Sequence, residues 1–313
     1  MPDKNWELNN KLSFKEIFLN RRPEAFGGIE WSRDKTKVSI IGIPFDSTVS
    51  YKPGTRFAPD HIRIASRNIE LYSIRNQIDV EEHGIYDEGD IAVVHGDVYQ
   101  TLDRVEKIVR EFSSEDRFFI YVGGEHTITQ GIIKGLMRKD LGVLVFDAHL
   151  DFRDEYLGLR YSHASVMRRV SELLGGGALF YIGVRAFSRE ELKEISKAGH
   201  EYITTVSLRR IGLREVIKRV LRWSDRYKHI YISLDIDVID PSMAPGVGTP
   251  EPDGLTSWEL FDLLNEVIDE RVVSMDLVEV NPLNDPSEIT STLAAKIIVE
   301  ATAKYLSLRK ERS

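Results

Sequence analysis

The chain of 313 residues contains no cysteine. That excludes disulfide scaffolding, thiolate metal sites and a cysteine nucleophile together, and it makes a cytoplasmic setting the simplest expectation. There is no run of about 18 apolar residues either, so no membrane span is expected. The opening stretch "MPDKNWELNNKLSFKEIFLN" lacks the basic start and apolar core of a secretory leader. Positive charge is in deficit, with 42 Lys and Arg against 50 Asp and Glu and a net charge of −8. Such a surface argues against general nucleic-acid binding and agrees with a small cationic substrate, although mild acidity is ordinary for cytosolic enzymes. Several catalytic signatures are missing as well. Without G-x-S-x-G, Ser162 and Ser165 are poor nucleophiles. The glycines at 175–177 are not followed by the Lys-Ser/Thr of a phosphate loop. The "HGD" at 95–97 lacks the Gly-Asn-His element that would complete a metallophosphoesterase signature.

What is present is 42% hydrophobic content, enough for a large buried core. Short β-branched runs alternate with segments of helical periodicity. "KVSIIGIPF" (37–45), "LGVLVFD" (141–147), "ALFYIGVR" (178–185), "HIYISLDIDV" (229–238) and "VVSMDLVEV" (272–280) read as buried strands. Between them, segments such as 97–112 place Val98, Leu102, Val105, Ile108, Val109 and Phe112 at helical spacing, and Thr256 or Ser257 caps another helix. Roughly eight strands in this alternation predict an α/β fold, a three-layer α/β/α sandwich around a mainly parallel sheet. No low-complexity linker or internal repeat divides the chain, which predicts a single domain over 1–313. Residues 1–35 form an N-terminal extension with one amphipathic helix.

In such folds ligands bind outside the carboxyl ends of the strands. There the polar residues gather. "VLVFDAHLDFRDE" (143–155) places Asp147, His149 and Asp151 at every second position after an apolar run. On an extended strand those side chains share one side. Burying three such groups is costly unless a cation compensates, and imidazole with carboxylate suits manganese, iron or zinc. "SLDIDVIDP" (233–241) repeats the pattern with Asp235 and Asp237, and "GGEH" adds His126 after another strand. Each fragment has a plainer reading: His126 as a loop residue, "DIDVIDP" as a strand end with a turn-forming Asp-Pro. Together, two histidines and four carboxylates exceed what one ion uses well and match two divalent ions sharing carboxylates. Asp240, beside Pro241, reads as a turn residue. His163 in "SHAS" is either a helix-start residue or a proton carrier near neutral pH. Glu279 in "MDLVEVNP" lies near a strand end, where a carboxylate could hold a cationic group through paired hydrogen bonds, a role that spacing alone does not assign.

In order and spacing, "PGTRFAPDHIR", "GGEH", "DAHLD", "SHAS", "SLDIDVIDPSMAPGVGTPEPDGL" and "DLVEVNP" resemble the ureohydrolases, the arginases, agmatinases and formiminoglutamases, over about residues 37–305. The resemblance implies two Mn²⁺ per chain and hydrolysis of a guanidino compound to urea and an amine. It implies that His126, Asp147, Asp151 and Asp235 hold one ion, and Asp147, His149, Asp235 and Asp237 the other. Asp151 would also orient the attacking water, His163 would shuttle a proton and Glu279 would bind the guanidinium. A homotrimer or homohexamer is implied too. One departure concerns Ala164, where the family commonly has glycine after the histidine, so the pocket wall differs there.

Arginases commonly place an asparagine shortly before the shuttle histidine to receive the substrate carboxylate; this chain has "RDEYLGLRYSH". Asp154 and Glu155 would suit a free amine instead. Agmatine, cleaved to putrescine and urea, is therefore the expected substrate, with aminopropylagmatine, arginine and guanidinobutyrate as alternatives. Arg153 and Arg160 lie nearby, and either would suit a carboxylate. Outside this class stand a catalytically silent binding protein and a one-zinc deacetylase of related fold; the latter leaves His126 and Asp237 unexplained.

Overall fold

The structure, a computed structural model, describes residues 13–22, 25–136 and 138–310. Its strands are β1 (Leu19–Asn20), β2 (Val38–Ile43), β3 (Tyr72–Ser73), β4 (Ile78–Asp79), β5 (Tyr86–Ile91), β6 (Phe118–Gly123), β7 (Leu141–Phe146), β8 (Leu179–Val184), β9 (Glu201–Thr204), β10 (His229–Asp235) and β11 (Val272–Val278). β3 and β4 form a small hairpin sheet; the other nine form one sheet in the order β1-β5-β2-β6-β11-β10-β7-β8-β9. Eight of those nine pair in parallel, and β1 alone runs antiparallel, Leu19 opposite Ile91.

The eight parallel strands are those anticipated from the β-branched runs. Strands β2, β6, β7 and β8 are buried at every residue, as expected where helices cover both faces of a parallel sheet. Alternate residues feed two separate cores. Val38, Ile40, Ile120, Leu144, Ile232 and Leu277 pack under the helices Ala58–Ser66, Leu213–Ser224, Ser257–Val267 and Ile289–Lys310. Ile41, Phe119, Tyr121, Val143, Val145 and Tyr231 pack under the helices Val98–Phe112, Ile128–Leu136 and Val166–Leu174. The result is three layers, as the alternation predicts. At ~1.5–3 kcal/mol per fully buried aliphatic or aromatic side chain, these cores are what holds a polar centre rigidly between them.

Two elements escaped the sequence pattern. β1 is two residues long, too short for any periodicity. It makes part of the N-terminal stretch an edge of the sheet, beside a short helix, Phe14–Phe18, capped by Ser13 and Glu16. Residues 1–12 lie outside the described residues. The helix Thr205–Ile211 was hidden in the continuous basic run with the helix that follows it; Gly212, at φ 79°, separates the two. Helix caps fall where the chemistry puts them. Thr256, rather than Ser257, accepts from Glu259 N, and Gly175 at φ 93° ends the helix Val166–Leu174. No described helix is long and apolar enough to cross a membrane.

His200 is buried between layers and serves as a neutral spacer. Its Nδ1 accepts from Leu179 N at 3.3 Å and its Nε2 meets Ser171 Oγ at 2.7 Å. Burial pushes its pKa down to about 4 from the ordinary 6.5. Between those values the unfolded chain takes up a proton that the folded chain refuses, so stability is lost as pH falls from 6.5 towards 4. His163 acts in the same direction, and Asp151, raised to about 7, opposes it. In denaturant unfolding, His200→Gln should flatten that decline relative to the unsubstituted protein by on the order of 2–3 kcal/mol across the window. Parallel pH profiles for the two proteins would refute the assignment.

Candidate metal centre and substrate cavity

Four neighbouring strands in the middle of the sheet, β6, β11, β10 and β7, end at the same place. Chain order breaks here: β7 follows β6 in sequence, yet β11 and β10 lie between them. A crevice at such a break is where ligands of α/β sheets bind.

Each strand end is shaped by local chemistry. After β6, Gly123 and Gly124 let the chain turn against β2. A Cβ on Gly124 would collide with the Phe45 carbonyl, and Glu125 N bonds that same carbonyl at 2.7 Å. After β7, Ala148, Leu150 and Phe152 sink into the core while Asp147, His149 and Asp151 turn together. The sequence expectation of three residues in phase along a strand is only partly right. β7 ends at Phe146, and Asp151 joins the group through a left-handed backbone, φ 48°. Asp237 likewise sits in a 3₁₀ turn, its N–H donating to Asp235 Oδ1 at 2.9 Å. After β11, Glu279 is left-handed as well, φ 65°. Strain of this kind, on the order of 1–3 kcal/mol for each residue, persists where the surroundings impose it. Here the contacts of Glu279 itself hold it, its N–H donating to Gly124 O at 2.9 Å and its Oε1 accepting from His126 N at 2.7 Å.

The six predicted ligands come together. His126 Nδ1 lies 3.3 Å from Asp147, 3.1 Å from Asp151 and 3.5 Å from Asp235, measured to carboxylate oxygens. His149 Nδ1 lies 2.9 Å from Asp237 and 3.6 Å from Asp147. Among the described residues, His126, Asp147 and Asp235 form one group able to hold an ion, and Asp147, His149 and Asp237 another; the ligand atoms in each lie within 4.8 Å of one another. Asp147 belongs to both. Its Oδ2 is buried with no hydrogen-bond partner, an orphaned carboxylate oxygen of the kind a cation satisfies.

Electrostatics point the same way. Burial pushes Asp235 well above the ordinary carboxylate range, with Asp237 and Asp147 adding to it. Burial, then Asp147, raises Asp151 to about 7. Burial works against a charged His126, yet Asp147 and Asp151 beside it hold its pKa well above that of free imidazole. The centre draws in positive charge, as protons or as metal.

The tautomer of His126 decides which of those the centre is built for. Asp276, on β11, is saturated as an acceptor: Oδ1 takes Ser233 Oγ–H and Leu234 N–H, and Oδ2 takes the hydroxyls of Thr129 and Tyr231. Ser233 has thus spent its proton and receives one from His126 Nε2 at 2.9 Å. With Nε2 committed to Ser233, Nδ1 is the ring atom that faces the three carboxylates, and a divalent cation displacing its proton would find a ligand there. Sequence reasoning missed Ser233 and Asp276. The available signal was a lone carboxylate inside the apolar run "VVSMDLV", which the fold brings into register with Ser233 of β10.

A cavity of about 360 Å³ opens above the centre, within the size range of small-ligand sites. His149, Asp151, Asp235, His163 and Glu279 line it. His163 is held by its neighbours: its N–H donates to Thr48 Oγ at 3.2 Å, and its Nε2 meets Ser50 Oγ at 3.3 Å. Thr48 in turn donates to buried Glu125 at 2.6 Å. Burial, then His149, pushes His163 down to about 4, so its imidazole is neutral at pH 7. Thr48, Ser50 and Glu125 were also missed, because their role depends on loops distant in sequence. Ala164 lines the cavity, its methyl on the wall where the family commonly has glycine.

The expectation for Asp154 and Glu155 is corrected. Neither lines the cavity. Asp154 is 56% exposed, and its carboxylate is taken by Arg169 at 2.7 Å, Arg160 at 3.3 Å and Arg168 at 3.6 Å. Glu155 is exposed. Left-handed Leu157 and Gly158 turn this loop outward. Asp240 is the turn residue expected, accepting from Ser242 and from Gly254 N.

The profile of the arginase family matches residues 36–303. The chain is 37% identical over 290 residues to the agmatinase of Bacillus cereus, covering 91% of this chain and 94% of that one. It is 37% identical over 277 residues to the N(1)-aminopropylagmatine ureohydrolase of Thermococcus kodakarensis, covering 87% and 93%. Among solved structures, the agmatine ureohydrolase of Thermoplasma volcanium superposes with a TM-score of 0.83 at 35% identity, covering 99% of this chain and 100% of that one.

The Ser233–Asp276 support makes a specific prediction. Ser233→Ala should weaken Mn²⁺ binding roughly tenfold or more in a calorimetric titration, with the melting profile largely kept, because the His126 ring loses its orienting acceptor. Unchanged affinity would mean that the hydrogen bond does not tune the ligand.

Proposed function

The chain belongs to the arginase family, and on that premise we propose that it is a manganese-dependent agmatinase, hydrolysing agmatine to putrescine and urea. The observation that carries this reading is the pair of donor groups sharing Asp147 beneath a cavity that also contains Glu279. Carboxylate-rich donors with one imidazole in each group suit manganese.

Bound at these donors, a pair of divalent ions supplies a water that ionises near neutral pH. The chain's own residues do the rest. Glu279, whose acidity burial weakens, regains its charge by accepting N–H bonds from the substrate guanidinium. Its Oε1 is already fixed by His126 N at 2.7 Å, which sets the guanidinium carbon over the centre. Asp151 accepts a hydrogen bond from the attacking water and aims it at that carbon. Attack forms the C–O bond and the C–N bond to the alkyl chain breaks. His163, neutral and facing the cavity, takes up the proton released and passes it to the departing nitrogen. Urea and a diamine are the products.

Arginine is disfavoured because its carboxylate needs free donors. Arg153 is the cationic residue among those lining the cavity, and its guanidinium lies 3.4 Å from Glu191 and over the Tyr156 ring. Aminopropylagmatine is the second reading, supported by the Thermococcus relative. A silent binding protein is disfavoured because all six ligand positions are filled, five of them within the two donor groups and Asp151 beside His126. The proposal includes a cytoplasmic enzyme with the whole chain as one ureohydrolase domain, assembled as a trimer or hexamer.

Urea release from agmatine, aminopropylagmatine, arginine and guanidinobutyrate by manganese-loaded protein tests the proposal. Agmatine should give the highest kcat/KM, and His163→Ala should lower kcat by roughly a hundredfold or more. Arginine as the best substrate would overturn the assignment, and absence of urea from every guanidine would overturn the enzyme reading.

A further inference from the structure

We infer that Glu251 is the specificity-determining residue of the cavity, holding the ammonium at the far end of a guanidinoalkylamine. This deepens the proposed function and rests on it.

The charged residues of the cavity wall, above the metal centre, are Arg153, Glu191 and Glu251. Two of them are engaged. Glu191 accepts from Ser188 N and Oγ and from Phe152 N, and it caps the helix Arg189–Lys197. Arg153 is paired with Glu191 and stacked over Tyr156. Glu251 is half-buried, and its carboxylate has no hydrogen bond or ion pair among the described residues. An unpaired carboxylate facing a cavity is an incomplete ion pair, and the partner it lacks is a cation.

Its position is built rather than incidental. Glu251 sits between Pro250 and Pro252, which restrict the backbone on both sides. Its carbonyl accepts from Arg185 Nη2 at 2.8 Å, and Arg185 Nε donates to Pro252 O at 3.0 Å. The same Nη2 reaches Asp237 O at 2.6 Å. One guanidinium thus ties the backbone of Glu251 to the turn carrying Asp237, and so fixes the span from wall to metal centre. Preorganisation of this kind raises affinity by cutting the ordering cost of binding.

A ligand that satisfies both ends has a guanidinium at Glu279, an apolar spacer and an ammonium at Glu251. Agmatine fits this description. In aminopropylagmatine the same nitrogen, now secondary, keeps its charge, and the added arm extends towards solvent. Glu251 therefore selects for the first ammonium and leaves the tail open. It takes the role that sequence alone gave to Asp154 and Glu155.

The test compares agmatine with pentylguanidine, in which a methyl group replaces the ammonium, on manganese-loaded unsubstituted protein, Glu251→Gln and Glu251→Lys. In Glu251→Gln, kcat/KM should fall roughly tenfold or more further for agmatine than for pentylguanidine, as expected when one partner of a charge-assisted hydrogen bond is neutralised. Glu251→Lys should shift preference towards 4-guanidinobutanoate. Equal effects on agmatine and pentylguanidine would overturn the assignment. If the unsubstituted protein released urea from no guanidine, the ureohydrolase reading would fall. Calorimetric affinity for agmatine would then still judge Glu251, with a tenfold loss in Glu251→Gln upholding the contact and equal affinity refuting it.

Discussion

Buried carboxylates cannot stay charged together without a cation among them, and most of the structure around the site answers that constraint. Asp147, Asp151, Asp235 and Asp237 lie within one crevice, each nearly or wholly removed from solvent. Left alone, Asp151 and Asp235 would take up protons, as their raised pKa values record. Holding metal instead requires that His126 present a lone pair, that the carboxylates be fixed at short range, and that the scaffold not relax. Asp276 and Ser233 meet the first condition, the turn at Asp235–Asp237 and the left-handed Asp151 the second. The third falls to a sheet buried on both faces, whose central strands carry the ligands.

The same economy appears on the substrate side. Glu279 and His163 both line the cavity, and the loop after β2 contacts His163 and the Asn281 that follows Glu279. Lys52 and Pro53 brace Asn281 beside Glu279, while Thr48 and Ser50 brace His163. The loop after β2 therefore braces His163 directly and the segment beyond Glu279 through Asn281. Arg185 plays a comparable part on the far side, joining the Asp237 turn to the wall that carries Glu251.

What could be read from sequence follows from how local the physics is. The eight parallel strands were legible because burial on both faces demands unbroken apolar runs, whereas β1 is two residues long and exists only by pairing with β5. The candidate metal ligands were legible because Asp and His are conspicuous at apolar strand ends. The rule that predicted their convergence, strand alternation, was incomplete at Asp151 and Asp237, where turns do the work. Asp154 and Glu155 misled because proximity in sequence to a ligand says nothing of direction, and the arginines that claim Asp154 lie on a later helix and its approach. Thr48, Glu125, Ser233, Asp276, Arg185 and Glu251 act through contacts across loops and strands, so their roles emerge only once the chain is folded.

The central claim is that this crevice holds two divalent ions sharing Asp147. Electron paramagnetic resonance during a manganese titration tests it most directly. The account predicts uptake of two ions per chain, with a spin-coupled spectrum growing in as the second binds and lost in Asp147→Asn. Saturation at one ion per chain with an isolated six-line spectrum would contradict it.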